Sequence, residues 1–362
     1  MTTTRRVRRA GLATVTALVI GGSGFAIGAA AADSSASGTT AAATATSAPG
    51  PATPGGPGPA SYASVVRQVL PSVVLIRTEN GLGSGVVLDR SGNIVTNAHV
   101  AGSSTRFQVQ VAGDTAPRSA RLVGTYPPDD LAVIRADNPE GLQPATFGDS
   151  DTVQAGDVVL AIGNPLGLSG SVTQGIISAT DRAVTEPATA GSPAATLPGA
   201  IQTSAPINPG NSGGALVSAA GQVIGIPTLA AGSPQGGGQA QGIGFAIPSN
   251  LARDIATQII DTGHVTNSHR AALGAEVATV LGADGTTGGV GVVAVTSGGA
   301  AERAGLRPGD VITSVGGAQT HDTTALTQAL AAADPGDKVT VTISRDGQDQ
   351  DVQMTLGELP GS

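Results

Sequence analysis

From about Tyr62 to Ile247 the apolar residues come in short, β-branched runs separated by Gly, Pro, Asn and Asp: Val73 to Arg77, Val86 to Leu88, Asn93 to Thr96, Phe107 to Val111, Leu131 to Ile134, Val158 to Ile162, Val172 to Ser178 and Val223 to Ile226. Runs of this length, each closed by turn residues, predict strands, and their number predicts a barrel or a sandwich. The pattern changes at Ser249. Leu251, Ile255 and Ile259 recur every four residues, which predicts a helix that Ser249 can cap and Gly263 can end. After a linker at His264 to Ala271, a smaller unit shows a strand-like Val290 to Val295 and a short helix at Ala300 to Ala304. A turn at Pro308-Gly309-Asp310 follows, then a helix from Asp322 to Ala333 and a strand from Lys338 to Ser344. About ninety residues suffice for one small α+β domain.

The first sixty residues follow a different rule. Arg5, Arg6, Arg8 and Arg9 precede an uncharged stretch from Ala10 to Ala32, the basic and apolar regions of an export signal. The stretch is also long enough to span a bilayer. Ala30-Ala31-Ala32 offers a cleavage site, so residues 1–32 are read as a signal peptide or a retained membrane anchor, and the body as secreted or anchored outside the cytoplasm. Glycines 21, 22, 24 and 28 argue against a soluble helix. Residues 33–60, made of Ala, Ser, Thr, Gly and Pro, have too little to bury to offset their ordering entropy, and are read as a disordered linker. The domains expected are therefore 61–263 and 270–358.

Composition narrows the chemistry. With no cysteine among 362 residues, disulfides, thiolate metal sites and a thiol nucleophile are excluded. The formal net charge of −8 becomes −12 once the four leader arginines are set aside, which argues against nucleic acid as a partner. Aromatic residues make up only 2%, so the core must be aliphatic and suits a mainly β body.

Hydroxyl catalysis then needs a base and an orienting acid, because a serine is a poor nucleophile until a histidine takes its proton and a carboxylate sets that histidine's tautomer. Of four histidines, only His99 lies inside the β region, just after Ile94-Val95-Thr96. Ser212 sits in Asn208-Pro209-Gly210-Asn211-Ser212-Gly213-Gly214, whose glycines permit unusual dihedrals and close approach of backbone to substrate. There the N–H groups of Gly210 and Ser212 can converge on an oxyanion. Ser84 is also flanked by glycines but reads as a structural strand entry. Asp130, at the head of the apolar run Leu131 to Ile134, is the preferred acid. Asp129 is the second choice and suits a turn after Pro127-Pro128. Gly210 to Gly214 also fits the G-x-S-x-G nucleophile elbow, but the strand and helix context of that motif is missing and the order His, Asp, Ser is the chymotrypsin one. That order also counts against a secreted esterase.

Thr96-Asn97-Ala98-His99-Val100, Asp130-Leu131-Ala132-Val133, Ala161-Ile162-Gly163-Asn164-Pro165, Gly210-Asn211-Ser212-Gly213-Gly214 and Gly242-Ile243-Gly244-Phe245-Ala246-Ile247-Pro248, in this order, resemble the HtrA (DegP-like) serine proteases. The resemblance runs from about residue 61 to 356. It implies a chymotrypsin-like double β-barrel protease domain followed by a small α+β PDZ domain. By position it implies His99 as general base, Asp130 as orienting acid, Ser212 as nucleophile, and Gly210 with Ser212 as oxyanion hole. Asn211 stands where digestive trypsin-like enzymes carry the aspartate of zymogen activation, so control is expected from movable loops such as Ala230 to Gly238 and from peptide binding. Ser204 and Pro206 depart from the family pattern. Ile207, Gly244, Phe245 and Ala246 are the expected specificity pocket; none is charged, which implies small or medium apolar residues before the scissile bond.

Leu273-Gly274-Ala275 resembles the loop by which PDZ domains of this family hold a terminal carboxylate, with the peptide added as an extra strand. Unfolded or damaged proteins are the substrates the resemblance implies, with C-terminal peptides at the PDZ domain. No cofactor or metal is required. The family is commonly trimeric through its protease domain, which no pattern in this chain shows independently. The competing class is a peptide-binding or chaperone-like PDZ protein that does not cut.

Overall fold

The computed structural model describes residues 61–361 except 80, 115, 165–169, 187–194, 209, 233–238 and 282–285. The expected leader (1–32) and linker (33–60), and most of the loop expected at Ala230 to Gly238, lie outside the described residues. A helix, α1 (Tyr62–Val69), opens them. Ser61 caps it, its hydroxyl accepting from Ser64 N at 3.3 Å, and Val65 and Val69 face inward. The strand-dominated pattern of the region did not announce this helix.

Six strands close a first barrel: β1 (Val73–Arg77), β2 (Leu82–Val87), β3 (Asn93–Thr96), β4 (Arg106–Val111), β5 (Arg118–Tyr126) and β6 (Leu131–Ala136), in the order β1-β2-β3-β6-β5-β4. A single turn of helix, α2 (Ala98–Ala101), follows β3. Six more strands close a second barrel: β7 (Val158–Gly163), β8 (Ser171–Glu186), β9 (Ala195–Thr203), β10 (Ala215–Ser218), β11 (Val223–Gly232) and β12 (Gln239–Pro248), in the order β10-β11-β12-β9-β8-β7. Closure leaves no free sheet edge. The double barrel is the expected architecture, and each of the eight predicted runs falls on a strand. Strands β5, β9, β10 and β12 were not foreseen. Glycines break β5, β9 and β12, β9 also carries Pro198, and β10 has only four residues, so these segments owe their extended form to neighbours in the closed sheets.

The runs read as continuously apolar because both of their faces are buried. Val74, Ile76, Val87, Ile94 and Ile134 fill the first barrel, and Val159, Ala161, Ile177, Ile201 and Leu216 fill the second. The alternate positions Val73, Val86, Val95, Leu131 and Val133 of the first barrel meet Leu160, Ile162, Ala215 and Val217 of the second in a shared core. That shared core presses the two barrels together and fixes the seam between them.

Helix α3 (Ser249–Thr262) lies on β5, β6, β11 and β12, with Ala252, Ile255, Ala256 and Ile259 in the shared core. Approach is close enough that a Cβ on Gly124 would lie 2.7 Å from the Gly263 carbonyl oxygen. Ser249 does not cap this helix. Pro248 is the capping position, and the Ser249 hydroxyl donates to the Gly148 carbonyl at 2.9 Å. Gly263 does end it, at φ 82°.

The C-terminal unit contains β13 (Ala271–Ala272), β14 (Ala275–Leu281), β15 (Thr287–Val295), α4 (Ala300–Ala304), β16 (Val311–Val315), β17 (Ala318–Gln319), α5 (Thr323–Ala331), β18 (Lys338–Arg345), β19 (Gln348–Thr355) and β20 (Gly357–Glu358). Its main sheet runs β14-β15-β16-β18-β19, and β13 pairs with β20. Asp322 caps α5, its carboxylate accepting from Ala325 N at 2.8 Å.

Candidate active site

Pairing of β3 with β6, Thr96 opposite Ala132, brings the segments after Thr96 and before Leu131 side by side. Asp130 then serves as a clamp. Its carbonyl accepts from Ala98 N at 3.0 Å and from Asn97 Nδ2 at 3.1 Å. Its Oδ1 accepts from His99 N at 2.9 Å, and its Oδ2 lies 2.8 Å from His99 Nδ1. The carboxylate is 1% exposed and its backbone is left-handed, at φ 52° and ψ 41°. A non-glycine residue holds that conformation only where surrounding bonds over-determine it, as here. A carboxylate oxygen that accepts from Nδ1 fixes the tautomer in which Nε2 has no proton and can take one.

A residue the sequence reading passed over completes the acid's shell. The Thr228 hydroxyl donates to Asp130 Oδ2 at 2.5 Å, and the Thr228 carbonyl accepts from the Ser212 hydroxyl at 3.0 Å. Thr228 therefore ties the acid of the first barrel to the serine of the second. The signal available was slight: a threonine two residues beyond the apolar run that ends at Ile226.

Ser212 sits on a turn before β10. Gly210 and Gly213 have φ of 103° and 77°, the region that favours glycine. Asn211 N donates to Asn208 O at 3.0 Å, Gly213 N to Pro227 O at 2.9 Å, and Ser84 N to Ser212 O at 2.9 Å. A Cβ on Gly213 would come within 2.3 Å of the Ser84 carbonyl oxygen, so the turn is wedged against β2.

Asp129 lies on the turn after Pro127-Pro128, as expected, but not at the surface. It is wholly buried, and its Oδ1 accepts from Arg270 Nη1 at 3.1 Å; the same nitrogen donates to Pro128 O at 2.7 Å. Burial pushes the Asp129 carboxyl up to about 6, against the opposing pull of Arg270. The linker residue Arg270 thus pins the turn that presents Asp130, a long-range contact with no sequence signature.

Among the expected pocket residues, Ile207 and Gly244 meet: a Cβ on Gly244 would lie 2.4 Å from Ile207 Cγ1. Ala246 is buried beside Ile207 in the second-barrel core. Phe245 points the other way along β12 and packs in the shared core between barrels, so its side chain does not join the other three. In the C-terminal unit Leu273, Gly274 and Ala275 line a cavity of about 500 Å³ together with Val277, Leu326 and Leu330. The loop is pinned by its carbonyls, Leu273 O accepting from Ala301 N at 2.7 Å and Gly274 O from Thr296 N at 2.9 Å.

Comparison with known proteins bears on the domains and the fold. Residues 83–226 match the trypsin-like peptidase domain family and residues 267–356 the PDZ domain family. The serine protease PepD of Mycobacterium tuberculosis is 39% identical over 319 residues, covering 83% of this chain and 67% of its own. The periplasmic serine endoprotease DegP of Escherichia coli K12 is 39% identical over 280 residues, covering 76% of this chain and 56% of DegP. The match thus spans 56% to 67% of the length of these two relatives. Among solved structures, the HtrA-type protease AlgW with a decapeptide shows a TM-score of 0.55 at 35% identity, over 83% of this chain and 99% of that one. The chain belongs to the HtrA-type serine proteases, with a trypsin-like peptidase domain and a PDZ domain.

Proposed function

We propose that the chain is an extracytoplasmic endopeptidase in which Ser212 attacks the peptide carbonyl, His99 takes its proton and passes it to the leaving amine, and Asp130 holds His99. Water then hydrolyses the acyl-enzyme by the same route. The observation that carries this reading is the His99 Nδ1 to Asp130 Oδ2 contact of 2.8 Å at a buried carboxylate that Thr228 joins to Ser212. The N–H groups of Gly210 and Ser212 stabilise the oxyanion.

Ile207, Gly244 and Ala246 favour a small or medium apolar residue before the scissile bond, because a charged one would be buried without a partner. Leu273 to Ala275 and the apolar cavity beside them take the carboxy terminus of an extended peptide. Substrates are unfolded or damaged proteins. DegP and DegQ of Escherichia coli are periplasmic, which supports a place outside the cytoplasm for this chain, secreted or anchored by residues 1–32. A homotrimer is part of the proposal, and sedimentation of the full chain measures it.

Degradation of casein by the full chain beside Ser212→Ala, with and without added hydrophobic carboxy-terminal peptides, tests the function. Cleavage lost in Ser212→Ala supports it, and stimulation by the peptides assigns them to the PDZ domain. No cleavage under either condition would leave a peptide-binding protein as the better description.

A further inference from the structure

Ser84 lies on β2 of the first barrel, wholly buried, and the chemistry described so far makes no use of its hydroxyl. That hydroxyl donates to the Gly210 carbonyl at 2.5 Å and accepts from Asn164 N, at the end of β7, at 2.8 Å. Accepting from Asn164 leaves the single O–H free to aim at Gly210. Ser84 also donates from its backbone N to the Ser212 carbonyl at 2.9 Å, and its own carbonyl accepts from the Thr96 hydroxyl at 2.7 Å. One residue of the first barrel therefore holds the carbonyls of Gly210 and Ser212, the same two residues whose N–H groups form the oxyanion hole. Through Thr96 it joins them to β3, the strand that leads to His99.

We propose that Ser84 is a positioning residue for the oxyanion hole: its hydroxyl anchors the Gly210 carbonyl and so fixes the direction of the Gly210 N–H. Within one residue the N–H and C=O are separated only by φ and ψ. Gly210 at φ 103° is the residue type least restrained in both, so its orientation has to come from outside the turn. Ser212 needs less help, since both its carbonyl and its hydroxyl are held. Removing the Ser84 hydroxyl would leave the Gly210 carbonyl and the buried Asn164 N–H without this partner. The turn could then re-pair by rotating Gly210, which carries its N–H away from the oxyanion. The role rests on Ser212 as nucleophile.

The test compares full-length wild type, Ser84→Ala, Ser84→Cys and Ser212→Ala on a short fluorogenic peptide with Val or Ala before the scissile bond. A peptide boronic acid, whose tetrahedral adduct places an oxygen in the hole, is titrated in parallel. Every variant is assayed well below its own melting temperature. Deleting one oxyanion donor typically lowers kcat by about 10²- to 10³-fold, so a misdirected donor should lower it by about 10- to 100-fold. The expected result for Ser84→Ala is that loss in kcat, KM within about twofold, and a boronate affinity reduced by a similar factor. Ser84→Cys, a weak donor, should fall between. If Ser84→Ala is unfolded at the assay temperature, Ser84→Cys carries the same comparison. A lowered melting temperature with kcat and boronate affinity unchanged would show that the hydroxyl serves stability alone, and a fall in kcat without a fall in boronate affinity would also overturn the proposal. Hydrolysis retained in Ser212→Ala would overturn the triad and this role together. Full dependence on Ser212 with no effect at Ser84 would overturn this role only.

Discussion

Replacing Asp129 by asparagine isolates the energetic consequence of burying a carboxyl under the turn that carries Asp130. Burial raises the Asp129 pKa from 3.8 to about 6. Each unit corresponds to about 1.4 kcal/mol, so keeping the group ionised in the folded protein costs about 3 kcal/mol above pH 6. The sign follows from proton counts. Between roughly pH 4 and pH 6 the folded chain binds more protons at this site than the unfolded chain, so stability falls as pH rises through that window. The asparagine of the Asp129→Asn variant does not titrate; its carboxamide oxygen can still accept from Arg270, which keeps Pro128 O as a second acceptor. Calorimetric melting of wild type and Asp129→Asn at about pH 4 and about pH 7.5 reads the effect as a difference of differences, which cancels the other titrating groups. At pH 4 the unfolded carboxyl is already about half ionised, so about 2.4 kcal/mol of this is read between the two pH values; for a unit of 150 to 250 residues that corresponds to roughly 5 to 10 °C, and the wild type should lose that much more than the variant on going to the higher pH. Parallel pH dependence in the two proteins would refute the reasoning, because it would mean that Asp129 is not penalised by its burial.

Thr228→Val removes the 2.5 Å bond to Asp130 Oδ2 while keeping the shape of the side chain. A hydrogen bond to a charged group contributes about 1.5–3 kcal/mol, so kcat for the peptide substrate should drop at least about tenfold, and an unchanged kcat would remove Thr228 from the acid's support. Gly213→Ala places a Cβ 2.3 Å from the Ser84 carbonyl oxygen, whereas Gly113→Ala, at φ 91°, meets nothing within 4 Å. The first should abolish hydrolysis and lower the melting temperature sharply. The second should show only the left-handed strain of about 1–2 kcal/mol in thermal melting. In competition between fluorogenic peptides, Val or Ala before the scissile bond should be cleaved faster than Arg or Lys, and the reverse order would reject an uncharged pocket.

Much of the architecture could be read from the chain because strands buried on both faces leave continuous apolar runs, and Val73 to Arg77 or Val158 to Ile162 carry that mark directly. The strands that escaped, such as Arg118–Tyr126 and Gln239–Pro248, are interrupted by glycine and extended only because a partner lies beside them. The same division runs through the site. His99 and Ser212 stand out by residue type and by the glycines around Ser212. Thr228, Ser84 and Arg270 are ordinary residues in ordinary surroundings, and their importance lies in partners 98, 126 and 141 positions away.

The sequence by itself determined two β-rich and α+β units, the candidate nucleophile and base, and the exclusion of thiol chemistry, because local periodicity, turn residues and residue type report short-range physics. The local pattern preferred Asp130 to Asp129, as the head of the apolar run Leu131 to Ile134, but could not say what either carboxylate touches. Only the tertiary structure shows the Asp130 carboxylate at His99 and Asp129 under Arg270, one through the pairing of β3 with β6 and the other through a contact with the interdomain linker. Hydrogen bonds across a seam are set by how two closed barrels meet, and that depends on every residue of the shared core rather than on the few that flank the bond.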